Sequence, residues 1–113
     1  MEERRKIAWV GKSVAFKGEL SSAEDMEIHG RVEGAINARN NSVTIGPDAD
    51  IRADIVSRVA IIRGRVKGQI TASEKIHLLE TASVEGDLTS PKIEIAEGAR
   101  LEAQIDMLKQ SAA

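Results

Sequence analysis

Along this chain the apolar and polar positions fall into a phrase that returns six times: a large apolar residue, any residue, Gly or Ala, any residue, a large apolar residue. The copies are Phe16 to Leu20, Val32 to Ile36, Ile51 to Ile55, Val66 to Ile70, Val84 to Leu88 and Leu101 to Ile105. Their starts advance by 16, 19, 15, 18 and 17 residues, a mean of 17. Within each copy the apolar and small residues alternate with polar ones, the period of a strand with one buried face. A second alternating stretch precedes most copies: Met26 and Ile28, Val43 and Ile45, Val59 and Ile61, Ile76 and Leu78, Ile93 and Ile95. Turn residues such as Gly46, Pro47 and Asp48 separate the stretches. A unit of two or three short strands in about 17 residues is one circuit of a parallel β-helix, with rungs stacked about 4.8 Å apart. The pattern predicts an all-β, single-domain solenoid of about six rungs.

Register is the next inference. If the copies lie in step, equal positions become neighbours on adjacent rungs. The column after the first apolar residue reads Lys17, Glu33, Arg52, Lys67, Glu85, Glu102, and the column before it reads Arg31, Asp50, Arg65 on three successive rungs. Both place opposite charges side by side at several steps, as cross-strand pairing favours. The small column, Gly18, Gly34, Ala53, Gly68, Gly86 and Ala103, is expected to face inward, where nothing bulky fits.

Composition narrows the core. The chain has 13 Ile and 8 Val against 6 Leu, a β-branched excess that suits extended backbone. One Phe, one Trp and no Tyr leave layers of aliphatics to fill a narrow interior. Ser21 with Glu24 and Thr71 with Glu74 have the spacing of a capping box, but neither leads into a helical apolar period. A net charge of −2 gives no reason to expect nucleic acid. With no Cys, disulfides, thiolate catalysis and cysteine zinc sites are all excluded. No secretory leader is evident, nor any apolar run near the roughly 18 residues that span a bilayer.

Little in the chain points to chemistry. His29 and His77 flank inward apolar residues on rungs roughly 14 Å apart, too far for one metal or one general base, so both are read as surface residues. No phosphate-binding glycine loop and no isolated carboxylate pair stand out. Ile45 to Ile51 has the look of a hexapeptide acyltransferase repeat, but six residues on stands Ser57 and six further Arg63, so that phase fails. No catalytic residue, cofactor, metal or small-molecule substrate is expected.

The ends of the stack are the features with consequences. A terminal rung exposes unpaired backbone and the apolar cross-section of the core, and another copy of the chain can cover it. The expected contacts are Val14, Phe16 and Leu20 at one end, and Ile93, Ile95, Leu101 and Ile105 at the other. Near the amino terminus Arg4, Arg5 and Lys6 lead into Ile7 and Trp9, a cationic stretch with an interfacial aromatic that suits anionic lipid; Trp9 also suits simple packing over the first rung.

The phrases Glu27 to Gly34, Thr44 to Pro47, Thr71 to Lys75, Val84 to Leu88 and Glu97 to Ala99, taken in their order and spacing, resemble the bactofilins, bacterial cytoskeletal proteins. The resemblance covers about residues 10–106, leaving short flexible tails at 1–9 and 107–113. It implies a right-handed β-helix that assembles end to end into filaments without nucleotide. It also implies a cytoplasmic scaffold, peripheral at the inner face of the membrane, that supports cell shape or positions cell-wall enzymes. A monomeric β-helix adaptor and, more distantly, an acyltransferase are the competing readings.

Overall fold

The computed structural model describes residues 7–107, with side chains from Val10 to Ile105. Nine strands make up the described chain: β1 (Ile7–Val10), β2 (Ala15–Ser21), β3 (Asp25–Ile28), β4 (Arg31–Ile45), β5 (Asp50–Ile62), β6 (Arg65–Leu78), β7 (Ser83–Ser90), β8 (Ile93–Ile95) and β9 (Arg100–Met107). Every ladder is parallel, and no helix occurs among the described residues. The two capping-box spacings lie in strands and corners instead: Ser22 Oγ, not Ser21, ties a tight turn by accepting from Glu24 N–H at 3.0 Å. The molecule measures 43 × 32 × 26 Å. β1 already pairs with β3 over Ile7 to Val10, so the first rung starts inside the stretch read from sequence as tail.

The six phrases stack in register. Phe16 pairs with Val32, Val32 with Ile51, Ile51 with Val66, Val66 with Val84, and Val84 with Leu101. About five turns of solenoid join them. The alternate stretches also stack, with Met26, Val43, Ala60, Ile76 and Ile93 in one column and Ile28, Ile45, Ile62, Leu78 and Ile95 in the next. The third stretch departs by one residue from the expected Val59 and Ile61: the register shifts at the corner before it, so Ala60 and Ile62 are buried and Val59 and Ile61 are partly exposed. Parallel in-register stacking thus lays each inward side chain on its counterpart, and the aliphatic columns close over one another: Ile28, Ile45, Ile51, Ile55, Ile62, Ile70, Ile76, Leu78 and Leu88 are wholly buried. Each such side chain contributes roughly 1.5–3 kcal/mol by leaving water. One inward column is kept small. Ala38 stacks on Ser57 and Ser57 on Ala72, all buried.

Two corners account for the uneven period. From Ile28 to Val32 the chain advances four positions through Gly30, whereas from Ile45 to Ile51 it advances six through a turn in which Ala49 N–H donates to Gly46 O at 3.1 Å. The same closure links Val14 to Gly11, Ala82 to Leu79 and Ala99 to Ala96. The short turns nest beneath the long ones: a Cβ on Gly30 would strike the carbonyls of Gly11 and Val14, and one on Gly64 those of Gly46 and Ala49. The opposite corner varies too, as the register shifts between Ala38 and Ser42 and between Ser57 and Val59 record. The faces keep step because only these corners change length.

The small column needs correcting. Gly18, Gly34 and Gly86 are exposed, Gly68 and Ala103 are partly exposed, and only Ala53 is buried. Val32 and Ile36 both point inward with exposed Gly34 between them, so strict alternation breaks and the chain bends there. Gly34 adopts φ +127°, a region L side chains rarely enter. Its missing Cβ would point along the axis at the preceding rung, onto Gly18 O and within 2.8 Å of Gly18 C. The column is small because each rung lies close over the last, not because the interior is narrow. Ala53 is the exception that reports the constraint. It has no positive φ, the β5–β6 ladder skips Ala53 and Asp54, and Gln69 N–H donates instead to Asp54 Oδ1 at 3.2 Å.

Candidate assembly surfaces at the two ends

The terminal rungs are the feature that interior columns make readable. Ile36, Ile55, Ile70 and Leu88 are 0–1% exposed, and Ile105 in the same column is 43% exposed. Ile28, Ile45, Ile62 and Leu78 are fully covered, and Ile95 above them is 47% exposed. At the other end Val14 is 47% exposed, while Ala49 and Ala82, which close the equivalent turns, are buried. These three side chains occupy positions that are interior on the middle rungs, and no further rung among the described residues covers them. Phe16, Leu20, Ile93 and Leu101 are half-buried and packed against the core. All seven residues expected from sequence therefore lie in the end layers, three bare and four partly sheltered. Backbone edges match them: among the described residues β2 pairs only with β4, and β9 only with β7.

The cationic stretch Arg4, Arg5 and Lys6 lies outside the described residues. Ile7 and Trp9 belong to β1, and their side chains are likewise outside the description. No helix of the described residues is long and apolar enough to cross a membrane.

Charged columns decorate the sides. Lys17 Nζ lies 3.7 Å from Glu33, and Lys67 Nζ 3.7 Å from Glu85, as the column order predicts. All four groups are about half exposed or more, so each pair contributes at most about 1 kcal/mol. The column Arg31, Asp50, Arg65 stacks in register but forms no ion pair within 4.0 Å. The histidines are partly covered rather than fully exposed: His29 Nε2 is 3.2 Å from Glu27 Oε1, and His77 Nδ1 3.9 Å from Glu94 Oε1. Among the described residues no group of three or more His, Cys, Asp or Glu side chains is placed to hold a metal ion.

Parallel rungs, aliphatic columns and end layers that the described residues leave partly exposed define a short β-solenoid whose terminal strands are shaped like those inside its own stack. The comparisons with known proteins agree with that class. The family model for bactofilin, described as polymer-forming cytoskeletal, matches residues 8–106, and the chain belongs to the bactofilin family. It is 38% identical over 98 residues to bactofilin BacO of Myxococcus xanthus, covering 87% of this chain and 77% of that protein. It is 32% identical over 98 residues to bactofilin BacP of the same organism, covering 87% of this chain but 40% of that longer protein. No solved structure matches. The family is a structural, cytoskeletal one whose members associate with themselves.

Proposed function

We propose that this chain is a filament-forming scaffold that grows end to end by stacking terminal rungs. The observation that carries the reading is the contrast within single columns: Ile95 and Ile105 are bare where their column-mates beneath are sealed. A docked copy supplies the missing rung, buries Val14, Phe16 and Leu20 at one end or Ile93, Ile95, Leu101 and Ile105 at the other, and pairs the free edges of β2 and β9. Each side chain newly covered adds up to roughly 1.5–3 kcal/mol, and a few per contact sustain a polymer. No nucleotide is needed for such growth. The same chain at both sides of the contact makes it repeatable.

Negative-stain microscopy and sedimentation of the full chain test this. Phe16→Arg and Leu101→Arg are expected to yield small soluble species with an unchanged β-type circular dichroism spectrum. Long filaments from both variants would mean that the end layers are not the contacts, and a single small species at every concentration for the unaltered chain would favour a monomeric adaptor.

The family resemblance supports the cellular setting we propose: a scaffold at the inner face of the cytoplasmic membrane, supporting cell shape or the placement of cell-wall enzymes. The amino-terminal cations suit that position. Flotation with phosphatidylglycerol vesicles, comparing the full chain with Arg4→Gln/Arg5→Gln/Lys6→Gln, tests it; equal flotation removes the lipid role of this stretch.

A further inference from the structure

One side of the rod carries a charge pattern that end-to-end growth does not use and that inter-rung ion pairs use only in part. On the face flanking Val32, Ile51, Val66 and Val84, the outward positions are Arg31 and Glu33, Asp50 and Arg52, Arg65 and Lys67, then Ser83 and Glu85, rung upon rung. Two adjoining hollows run along it. One of about 230 Å³ is lined by Asp50, Arg52, Arg65, Lys67, Ser83 and Glu85 around Val66. The other, of about 160 Å³, is lined by Arg31, Glu33, Asp50 and Arg52 around Val32. Both are lined by Asp50 and Arg52. Ser83, a short residue in the Arg31 column, lines the first hollow.

The ion pairs on this face leave a remainder. Glu33 is engaged by Lys17 and Glu85 by Lys67. Arg31, Arg52 and Arg65 have no ion pair or side-chain hydrogen bond among the described residues, and neither has Asp50, the carboxylate that stands between Arg31 and Arg65 in their column. Arg52 also stacks directly beside Lys67, a like-charge neighbour pair that costs stability in a sheet. The two hollows thus hold a cationic surplus on a chain whose net charge is −2.

We propose that these hollows form a docking groove for an extended acidic segment of a partner protein, whose carboxylates are taken by Arg31, Arg52 and Arg65. Guanidinium groups bind carboxylates through paired donors. The spacing also fits: Arg31 and Arg65 are two rungs apart, about 10 Å, and an extended chain in the polyproline II conformation covers that span in about three residues and returns its side chain to the same side. The favoured ligand carries acidic residues at i and i+3 along the rod axis. A lipid surface or a nucleic acid fits less well, because Glu33, Asp50, Glu85 and Glu102 are interleaved with the cations and repel a continuous sheet or string of phosphates. This groove lies on the side of the rod and is independent of whether the ends assemble.

The test is fluorescence anisotropy of the full chain at low ionic strength. The probe is a fluorescein-labelled Gly/Ser peptide with Asp at every third position, with an Asn counterpart as control. The Asp peptide is expected to bind and the Asn peptide not, with binding weakening as salt is raised. Arg31→Gln/Arg52→Gln/Arg65→Gln should lose at least tenfold in affinity. Arg39→Gln/Arg58→Gln/Arg63→Gln removes the same formal charge elsewhere and should change affinity less than twofold. Asp50→Asn, which removes the carboxylate between Arg31 and Arg65 in their column, should tighten binding severalfold. Equal losses in the two triple variants, no binding of the Asp peptide, or no gain from Asp50→Asn would each overturn the groove. So would capture of phosphatidylglycerol vesicles by this face in place of the peptide.

Discussion

The bend at Gly34 gives the sharpest quantitative test of how the rungs are held. Gly34→Ala forces two penalties together. A non-glycine residue at φ +127° is strained, by about 1–3 kcal/mol. Its Cβ also meets the carbonyl of Gly18, with the carbonyl carbon at 2.8 Å and the amide nitrogen at 3.2 Å, and that partner is backbone that cannot swing away. Overpacking of this kind adds about 1–3 kcal/mol, so the total is about 2–6 kcal/mol. Gly18→Ala separates the terms. Gly18 has nearly the same φ, +133°, but among the described residues its Cβ would meet only the Phe16 ring at 3.9 Å, with no rung of them beneath. It should cost the strain alone, about 1–3 kcal/mol. For a domain of about 100 residues, 1 kcal/mol moves Tm by about 4–8 °C, so the two variants should be resolved easily. Thermal unfolding followed by circular dichroism, in dilute solution where end contacts are not populated, gives both numbers. If Gly18→Ala is as damaging as Gly34→Ala, the axial collision is not what keeps the column small. Ala53 adds an internal check: Gly34→Ala should relax as Ala53 does, by dropping the ladder bridges at and just after the substituted position.

Other outcomes follow from the same geometry. The hydroxyl of Ser57 is buried without a partner between Ala38 and Ala72, so Ser57→Ala should raise stability by about 1 kcal/mol, read as a higher denaturation midpoint; a loss would mean that the hydroxyl is satisfied by bound water. Asp54→Ala removes the acceptor for Gln69 N–H and should cost about 0.5–1.5 kcal/mol by urea titration. Lys67→Met breaks the pair with Glu85 and should change stability by less than about 1 kcal/mol; a larger loss would show that the outward columns hold the stack together. Gly18→Ala also points a methyl off the rod's end, so sedimentation should report weakened growth even where folding survives.

Much of this architecture is legible in the chain. The returning phrase gives the rung, the register and the columns, because parallel stacking sets like on like and a repeat in sequence becomes contact in space. Val14, Phe16, Leu20, Ile93, Ile95, Leu101 and Ile105 could be placed in the end layers from their order alone. How bare each is could not: Leu101 and Ile105 differ in shelter through the path of the last rung, which no pattern encodes. The direction of the glycines was hidden for a related reason. Alternation assigns Gly34 to the interior, but a residue without a side chain leaves no mark of which way its backbone faces, and only the carbonyl of Gly18 beneath decides it. The expected pairing of Arg31, Asp50 and Arg65 fails because being neighbours in a column brings backbones together, not the ends of long side chains. The groove at Asp50 and Arg52 was invisible for the same reason: the charges could be read, but not which of them already had partners.

The uneven corners have one more consequence. Extra residues enter this chain only where it turns, as the contrast between Ile28 to Val32 and Ile45 to Ile51 illustrates, so the flat sides never lose their common pitch. Foreign segments grafted at such edges, for instance between Asn40 and Asn41, would ride outside the lattice and leave its spacing untouched. The rod then behaves as a graduated ruler: marks can be added along its margin without moving the divisions, which advance by one strand separation at a time.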